Sequence, residues 1–215
     1  MRKEKNALAV MFKAPEPGKV KTRLVPPLTY EQAAKLYGCF IKDVLNTAKG
    51  LEGVDIYGAF AGNIKDGEVY GVSLFEQEGT GLGERIYNVF RALFLKGHER
   101  AVVIGSDSPD LPAENIKDAF GLLDGTELVL GPALDGGYYL VAMKRLMDEP
   151  FMDIPWSTGD VLEATVKRAK GAAIPFKLLK PWHDIDTVHD LTRLNGKAAP
   201  LTANFLLKSG LPLNP

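Results

Sequence analysis

Cysteine is almost absent from this chain. The single one, Cys39, can form no internal disulfide; it falls in an amphipathic helical stretch, where a small apolar residue fits, and its isolation suits a reducing compartment. Histidine is scarce too, at three residues, so a thiolate- or imidazole-rich transition-metal site is excluded. No apolar run approaches the roughly 18 residues needed to span a bilayer. The start, MRKEKNALAVMF, is basic and then apolar, but its apolar part of about six residues is too short for the core of a secretion signal and reads as a first strand. An excess of either charge is also missing. With 26 Lys and Arg against 27 Asp and Glu, the net charge of -1 gives no general attraction to nucleic acid or to an anionic membrane. There is no internal repeat, low-complexity tract or long linker. The expectation is one soluble cytoplasmic domain covering residues 1–215, long enough to bury a substantial core.

What is present is an alternation of short apolar runs and helical periodicities. Strands are expected at Ala7–Phe12, Val54–Phe60, Val72–Phe75, Ala101–Ile104, Leu128–Leu130, Tyr138–Met143 and Ile174–Leu179. Helices are expected at Tyr30–Lys49, capped by Thr29 with Gln32 at the capping-box position, and at Gly81–Leu95, Ala113–Leu123 and Gly159–Lys170. A short helix at Val188–Leu194 and a turn or two near Leu201–Lys208 close the chain. Such alternation implies a mainly parallel sheet covered on both faces. Asp135-Gly136-Gly137 is a hairpin signal, so one late strand is expected to run antiparallel to its neighbours.

The stretch AVVIGSDSPDLP carries the strongest chemical signal. A buried strand, Ala101–Ile104, ends at Gly105 and delivers Asp107 and Asp110 into a loop stiffened by Pro109 and Pro112. Open α/β sheets place ligand sites in this way, and two acids so spaced suit a hard divalent cation that bridges to phosphates. The same acids would also serve simply as caps of the next helix. The loop FKAPEPGKVKTRL gathers Lys13, Lys19, Lys21 and Arg23 around Gly18, opposed only by Glu16, which points to an anion site. It is not a Walker A loop, because Lys13 and Val20 stand where a glycine and a Ser or Thr are required.

Gly79-Thr80-Gly81-Leu82-Gly83-Glu84-Arg85 approaches the dinucleotide fingerprint and fails it at Glu84, yet it opens a helix whose amides could meet an anion or a base edge. Gln77 offers both a donor and an acceptor for a base. Asp135 would grip sugar or acceptor hydroxyls, or merely fit its turn. In His183-Asp184-Ile185-Asp186-Thr187, an extended backbone would put both carboxylates on one face; one of them could join Asp107 at a metal, or Asp186 or Thr187 could cap the following helix. His183 and His189 are expected to be ordinary, partly exposed residues. Trp156-Ser157-Thr158 would line an acceptor pocket or supply an N-cap. There is no nucleophile-elbow pattern and no basic stripe interleaved with exposed aromatics.

Taken in order, FKAPEPGKVKTRL, QEGTGLGERI, IGSDSPDLP, LGPALDGGYYL, PWST and DIDTVHDL resemble the radical-SAM/selenodomain-associated transferase family, from about Ala7 to Leu194. The last twenty residues, 196–215, fall outside the likeness. The resemblance implies a three-layer α/β/α sandwich of the GT-A, nucleotide-diphospho-sugar transferase type, with a nucleotide at the carboxyl ends of the strands. It implies that Asp107 holds Mg²⁺ or Mn²⁺ with Asp184 or Asp186, the second acid of the usual Asp-x-Asp falling one residue late at Asp110. Gln77, Gly83 and Arg85 would lie by the nucleotide, and Asp135 by the sugar or acceptor. The family label implies a metal-dependent glycosyltransferase that uses a nucleotide sugar and a small-molecule acceptor. The cation loop implies an alternative, nucleotidyl transfer with pyrophosphate release, in which Lys13, Lys21 and Arg23 hold a triphosphate. A non-catalytic nucleotide-binding regulator is a third reading, and the two acidic clusters argue against it.

Overall fold

The computed structural model describes residues 4–64 and 71–211. The first residues of the basic start and the end of the tail lie outside these. In chain order the elements are β1 (Asn6–Lys13), α1 (Tyr30–Lys49), β2 (Val54–Ala61), β3 (Ser73–Glu76), α2 (Leu82–Leu95), β4 (Arg100–Gly105) and α3 (Ala113–Leu122). They continue with β5 (Leu128–Pro132), β6 (Tyr138–Met143), α4 (Val161–Gly171), β7 (Phe176–Leu178) and α5 (Pro200–Lys208). The strands form one seven-stranded sheet in the order β3-β2-β1-β4-β6-β5-β7. Every pairing is parallel except those of β6, which runs antiparallel to both β4 and β5. The expected hairpin therefore forms, and β6 is the reversed late strand.

The continuous apolar runs become central strands because a strand covered on both faces has no polar side to show. Along β1, Leu8, Val10 and Phe12 enter one core while Ala7 and Ala9 enter the other. Val102 and Ile104 against Ala101 and Val103 repeat the pattern on β4. The first core is closed by α1, α3 and α5, through residues such as Phe40, Ile116 and Leu206; the second is closed by α2 and α4, through Phe90 and Ala169. The layers are therefore helix, sheet, helix, as a mainly parallel sheet requires.

Helix α1 starts as its sequence implies. The Thr29 side chain accepts from the Gln32 amide, and the Gln32 side chain accepts from the Thr29 amide. Asp43 was silent in the sequence. Buried within α1, its carboxylate accepts from the amides of Leu201 and Thr202 at 3.1 and 2.8 Å and from the Thr202 hydroxyl at 2.7 Å. A carboxylate thus caps a helix start 158 residues away, where the helix dipole favours negative charge, and anchors the tail onto α1.

Three local expectations are corrected. Helix α4 begins at Val161, with Asp160 rather than Ser157 or Thr158 at its N-cap. Ser157 sits in the left-handed region at φ 66°, which turns the chain, and Thr158 donates its hydroxyl to the Pro155 carbonyl instead. The stretch Val188–Leu194 carries only a 3-10 turn at Asp190–Arg193. There the Asp190 carboxylate accepts from the amides of Asp186 and Thr187, so neither Asp186 nor Thr187 acts as the cap.

Candidate functional site

The central strands β1 and β4 lie side by side and end at the same edge, so their following loops meet. Because β6 is reversed, the 133–137 turn that precedes it comes to that edge as well. Together they frame an open cleft of about 800 Å³. The position is the one the fold favours for ligands, outside the carboxyl ends of parallel strands.

The first wall is built on charge. Tyr37, from α1, ties the two loops together: its hydroxyl accepts from the Lys13 amide at 3.1 Å and pairs with Ser106 Oγ at 2.7 Å. Burial, together with the charge of Asp107, pushes this phenol up to about 12, so it remains neutral. Lys21 lies in the left-handed region at φ 47°, and its side chain, only 5% exposed, reaches inward. Its ammonium is 2.5 Å from Asp107 Oδ1, 2.8 Å from Asp186 Oδ1 and 2.7 Å from the Ile185 carbonyl. The rings of Phe40 and Tyr37 lie 5.4 and 6.0 Å from it. Burial would lower the ammonium's proton affinity, but the two carboxylates outweigh burial and hold it above its ordinary value. Arg23 is mostly exposed and comes within 3.8 Å of Asp186. Lys19 is paired at the surface with Glu16, at 2.6 Å.

The acids arrive from two loops that are stitched together. The Ile185 amide donates to the Asp107 carbonyl at 2.8 Å, and Ile185 itself is fully buried. The carboxylates on either side of it, Asp184 and Asp186, both line the cleft. They have different partners. Asp186 meets Lys21, whereas Asp184 accepts from Ser108 Oγ at 2.6 Å. Burial, assisted by Asp107, Asp135 and Asp186 and opposed by Ser108, pushes the Asp184 carboxyl up to about 6.

The expectation is a metal shared by Asp107 and one of Asp184 and Asp186. Among the described residues no three His, Cys, Asp or Glu side chains are grouped to hold an ion. What converges is two carboxylates and a main-chain carbonyl, with the Lys21 ammonium between them. Asp110 is elsewhere: buried, it accepts from the Asn195 amide at 2.8 Å and lies 3.5 Å from His183 Nε2, so its work is to hold the loop before α5. Asp135 lines the cleft and accepts from the Gly137 amide at 2.9 Å, which also makes it part of its own turn.

The second wall is built on packing and local hydrogen bonds. Gln77 donates both amide hydrogens to main chain, to Phe12 at 3.2 Å and Ala59 at 2.8 Å, which leaves its carbonyl oxygen for a ligand. Arg85 lines the cleft while its Nε donates to the Gly79 carbonyl. The Glu84 carboxylate takes the Thr80 amide and hydroxyl, each at 2.9 Å; those bonds hold its carboxyl below the usual range and occupy an amide that an anion would have used. Gly83 does not form part of the cleft surface. A Cβ there would lie 2.7 Å from the Trp156 indole, so the missing side chain makes room for Trp156, which does line the cleft. Gly18 likewise stands outside the cleft wall and supplies a left-handed turn at φ 76°.

Tyr37, Ser106, Ser108 and the Ile185 carbonyl had no signature in the sequence. Tyr37 reads as one more apolar position on α1, and the others act through contacts that only folding creates.

Three known proteins are similar to this chain in sequence or in fold. A solved structure from Desulfovibrio desulfuricans G20, provisionally described as a nucleotide-diphospho-sugar transferase, is 30% identical; the likeness covers 97% of this chain and 96% of that one, with a TM-score of 0.88. The structure of CMP:2-keto-3-deoxy-manno-octonic acid synthetase complexed with CTP shares the fold at 12% identity, covering 93% of this chain and 99% of that one, with a TM-score of 0.57. The 2-phospho-L-lactate guanylyltransferase of Methanocaldococcus infernus is 26% identical over 132 residues, 59% of this chain. That match spans 56% of the guanylyltransferase, little more than half its length. The family described as uncharacterized protein conserved in bacteria (DUF2064) matches residues 49–158, which take in β2 through the Trp156 loop, and the chain belongs to that family.

Proposed function

We propose that this chain is a nucleotidyltransferase that joins a nucleoside triphosphate to a small phosphorylated acceptor with release of pyrophosphate. The observation that carries the reading is that Lys13, Lys19, Lys21 and Arg23 line one cleft with Asp107, Asp184 and Asp186. A triphosphate needs cations along its length, and this loop supplies them. An acceptor phosphate oxygen attacks the α-phosphorus, the bond from that phosphorus to the bridging oxygen breaks, and pyrophosphate leaves with the electron pair. Such an acceptor is already a nucleophile, so no general base is needed; for a hydroxyl acceptor, Asp135, which lines the cleft, is a candidate. Lys13, Lys21 and Arg23 act by positioning and by stabilising charge on the leaving pyrophosphate.

The donor set also fits Mg²⁺ or Mn²⁺. Asp107, Asp186 and the Ile185 carbonyl are hard oxygen ligands already converging on a cation, with Asp184 beside them. Those residues would hold the ion, which when bound neutralises charge on the departing diphosphate. The guanylyltransferase and the CTP-bound synthetase, by name, support nucleotidyl chemistry. Glycosyl transfer stays as a second reading on one observation, the description carried by the 30% identical relative. The narrower radical-SAM/selenodomain label, one domain over 1–215 and a cytoplasmic location belong to the same proposal.

Product analysis tests it. With mixed nucleoside triphosphates, Mg²⁺ and a panel of sugar phosphates and small phosphorylated acids, pyrophosphate should appear, and Asp107→Ala should slow it by roughly a thousandfold. Nucleoside diphosphate released from a nucleotide sugar, with no pyrophosphate from triphosphates, would overturn the reading in favour of glycosyl transfer. Neither product, with nucleotide binding unchanged in Asp107→Ala, would mark a regulator.

A further inference from the structure

Lys21 is the anomaly of this cleft. It is followed by two exposed residues, Thr22 and Arg23, yet its own side chain is 5% exposed. Its ammonium takes the point where three oxygens from two distant loops converge. The backbone that carries these oxygens is held by bonds that do not involve Lys21. The Ile185 amide is held by the Asp107 carbonyl, Asp184 by Ser108, and the amides of Asp186 and Thr187 by Asp190. The carboxylates of Asp107 and Asp186 are 46% and 42% exposed on the cleft side, so an ion arriving from solvent reaches them without passing the lysine. Counting charges at this point, Lys21 and Arg23, the latter 3.8 Å from Asp186, supply two positive units against the three of Asp107, Asp186 and the adjacent Asp184. The site remains net negative with Lys21 in place and still draws cations. A divalent ion and an ammonium cannot share the same two carboxylate oxygens, because the like charges would sit within a few ångströms of each other.

We propose that Lys21 is an exchangeable counter-ion: it holds Asp107 and Asp186 together in the empty protein, leaves them when a divalent cation binds, and carries its ammonium to the phosphate oxygens of the nucleotide. The exchange leaves Asp107 and Asp186 with a cation at every stage and couples metal entry to the release of a phosphate-binding cation. The outward part of the proposal rests on the nucleotide reading of the cleft; the competition with metal does not.

Two measurements test it without relying on turnover. In the wild-type protein, labelling of lysines by acetic anhydride read by mass spectrometry should find Lys21 protected in metal-free buffer, several-fold more reactive with Mn²⁺ alone, and protected again with Mn²⁺ and a nucleoside triphosphate. Mn²⁺ titration followed by electron paramagnetic resonance should show binding to Lys21→Met at least tenfold tighter than to wild type without nucleotide, and the gap should narrow when nucleotide is added. Lys21→Arg, which keeps the charge, should bind Mn²⁺ no more tightly than wild type. Mn²⁺ that binds through Asp107, as judged by its loss in Asp107→Asn, while leaving Lys21 protected would overturn the proposal. So would equal or weaker Mn²⁺ binding by a folded Lys21→Met. Re-protection by nucleotide failing while Mn²⁺ still exposes Lys21 would keep the competition and remove the nucleotide reading, so the two failures are distinguishable.

Discussion

The two walls of the cleft are assembled by different forces. On the acid wall, Lys21, Asp107, Ile185 and Asp186 come from three parts of the chain, up to 165 residues apart, and charge-assisted bonds of 2.5–2.8 Å draw them together. On the opposite wall, Gln77, Glu84 and Arg85 satisfy one another's backbone within a dozen residues or bond to neighbouring strands, and Gly83 makes space for Trp156. The acid wall is a device for handling charge. The other is a shaped, mainly satisfied surface with a few free polar atoms. The difference teaches that a glycine-rich loop beside a cleft can be spent on packing, as at Gly83, while the cations gather on the other wall.

The sharpest way to break that contrast is at Gly83. Gly83→Ala would press a methyl group into the Trp156 indole, so a loss of about 1–3 kcal/mol is expected. Thermal denaturation should show it as a Tm lowered by roughly 2–4 °C per kcal/mol. An unchanged Tm accompanied by lost nucleotide binding would make this loop a phosphate grip after all. A smaller effect is expected at Arg23, an exposed cation of the acid wall. Arg23→Ala should weaken nucleotide binding about three- to tenfold at low salt, with the difference fading near 0.5 M salt, because an exposed charge contact is screened. Titrations at two ionic strengths decide it, and a salt-independent loss would point to a shape contribution instead.

The smallest effect concerns Asp184. Its carboxyl is raised in the folded protein from an ordinary value of 3.8 to about 6, so the folded state binds the proton more tightly than the unfolded chain. That contribution favours folding in full below pH 3.8 and is lost as pH rises through about 6. Above it the buried charge is a cost that Asp184→Asn removes, while the amide oxygen can still accept from Ser108. In metal-free buffer the variant should melt about one or two degrees higher than wild type at pH 7.5, with the gain vanishing near pH 4. A Tm lowered equally at both values would show that the charged form is needed for the Ser108 bond.

Most of the fold could be read from periodicity. Buried strands at 101–104 and 138–143, the capped helix at 30–49 and the reversed hairpin strand all follow from apolar runs, a capping box and Asp-Gly-Gly chemistry. Signals failed where one residue had competing uses. Thr158 could have been a cap but bonds backward to Pro155, and Asp186, placed before a helical pattern, spends its carboxylate on Lys21. Asp110 shares its loop with Asp107 and is just as acidic in sequence, yet it turns inward to the Asn195 amide.

By itself, the sequence determined the residue types at the cleft edge. Carboxylates and cations, placed at strand ends, had either to stay at the rim or to find partners, because burying them unpaired costs too much. It also determined the alternation that forces a covered parallel sheet. Only the tertiary structure decided which opposite charges meet, that Lys21 is the partner of Asp107 and Asp186, and that Gly83 serves Trp156. Those choices depend on distances between loops far apart in the chain, and local patterns carry no information about them until the sheet brings the loops to one edge.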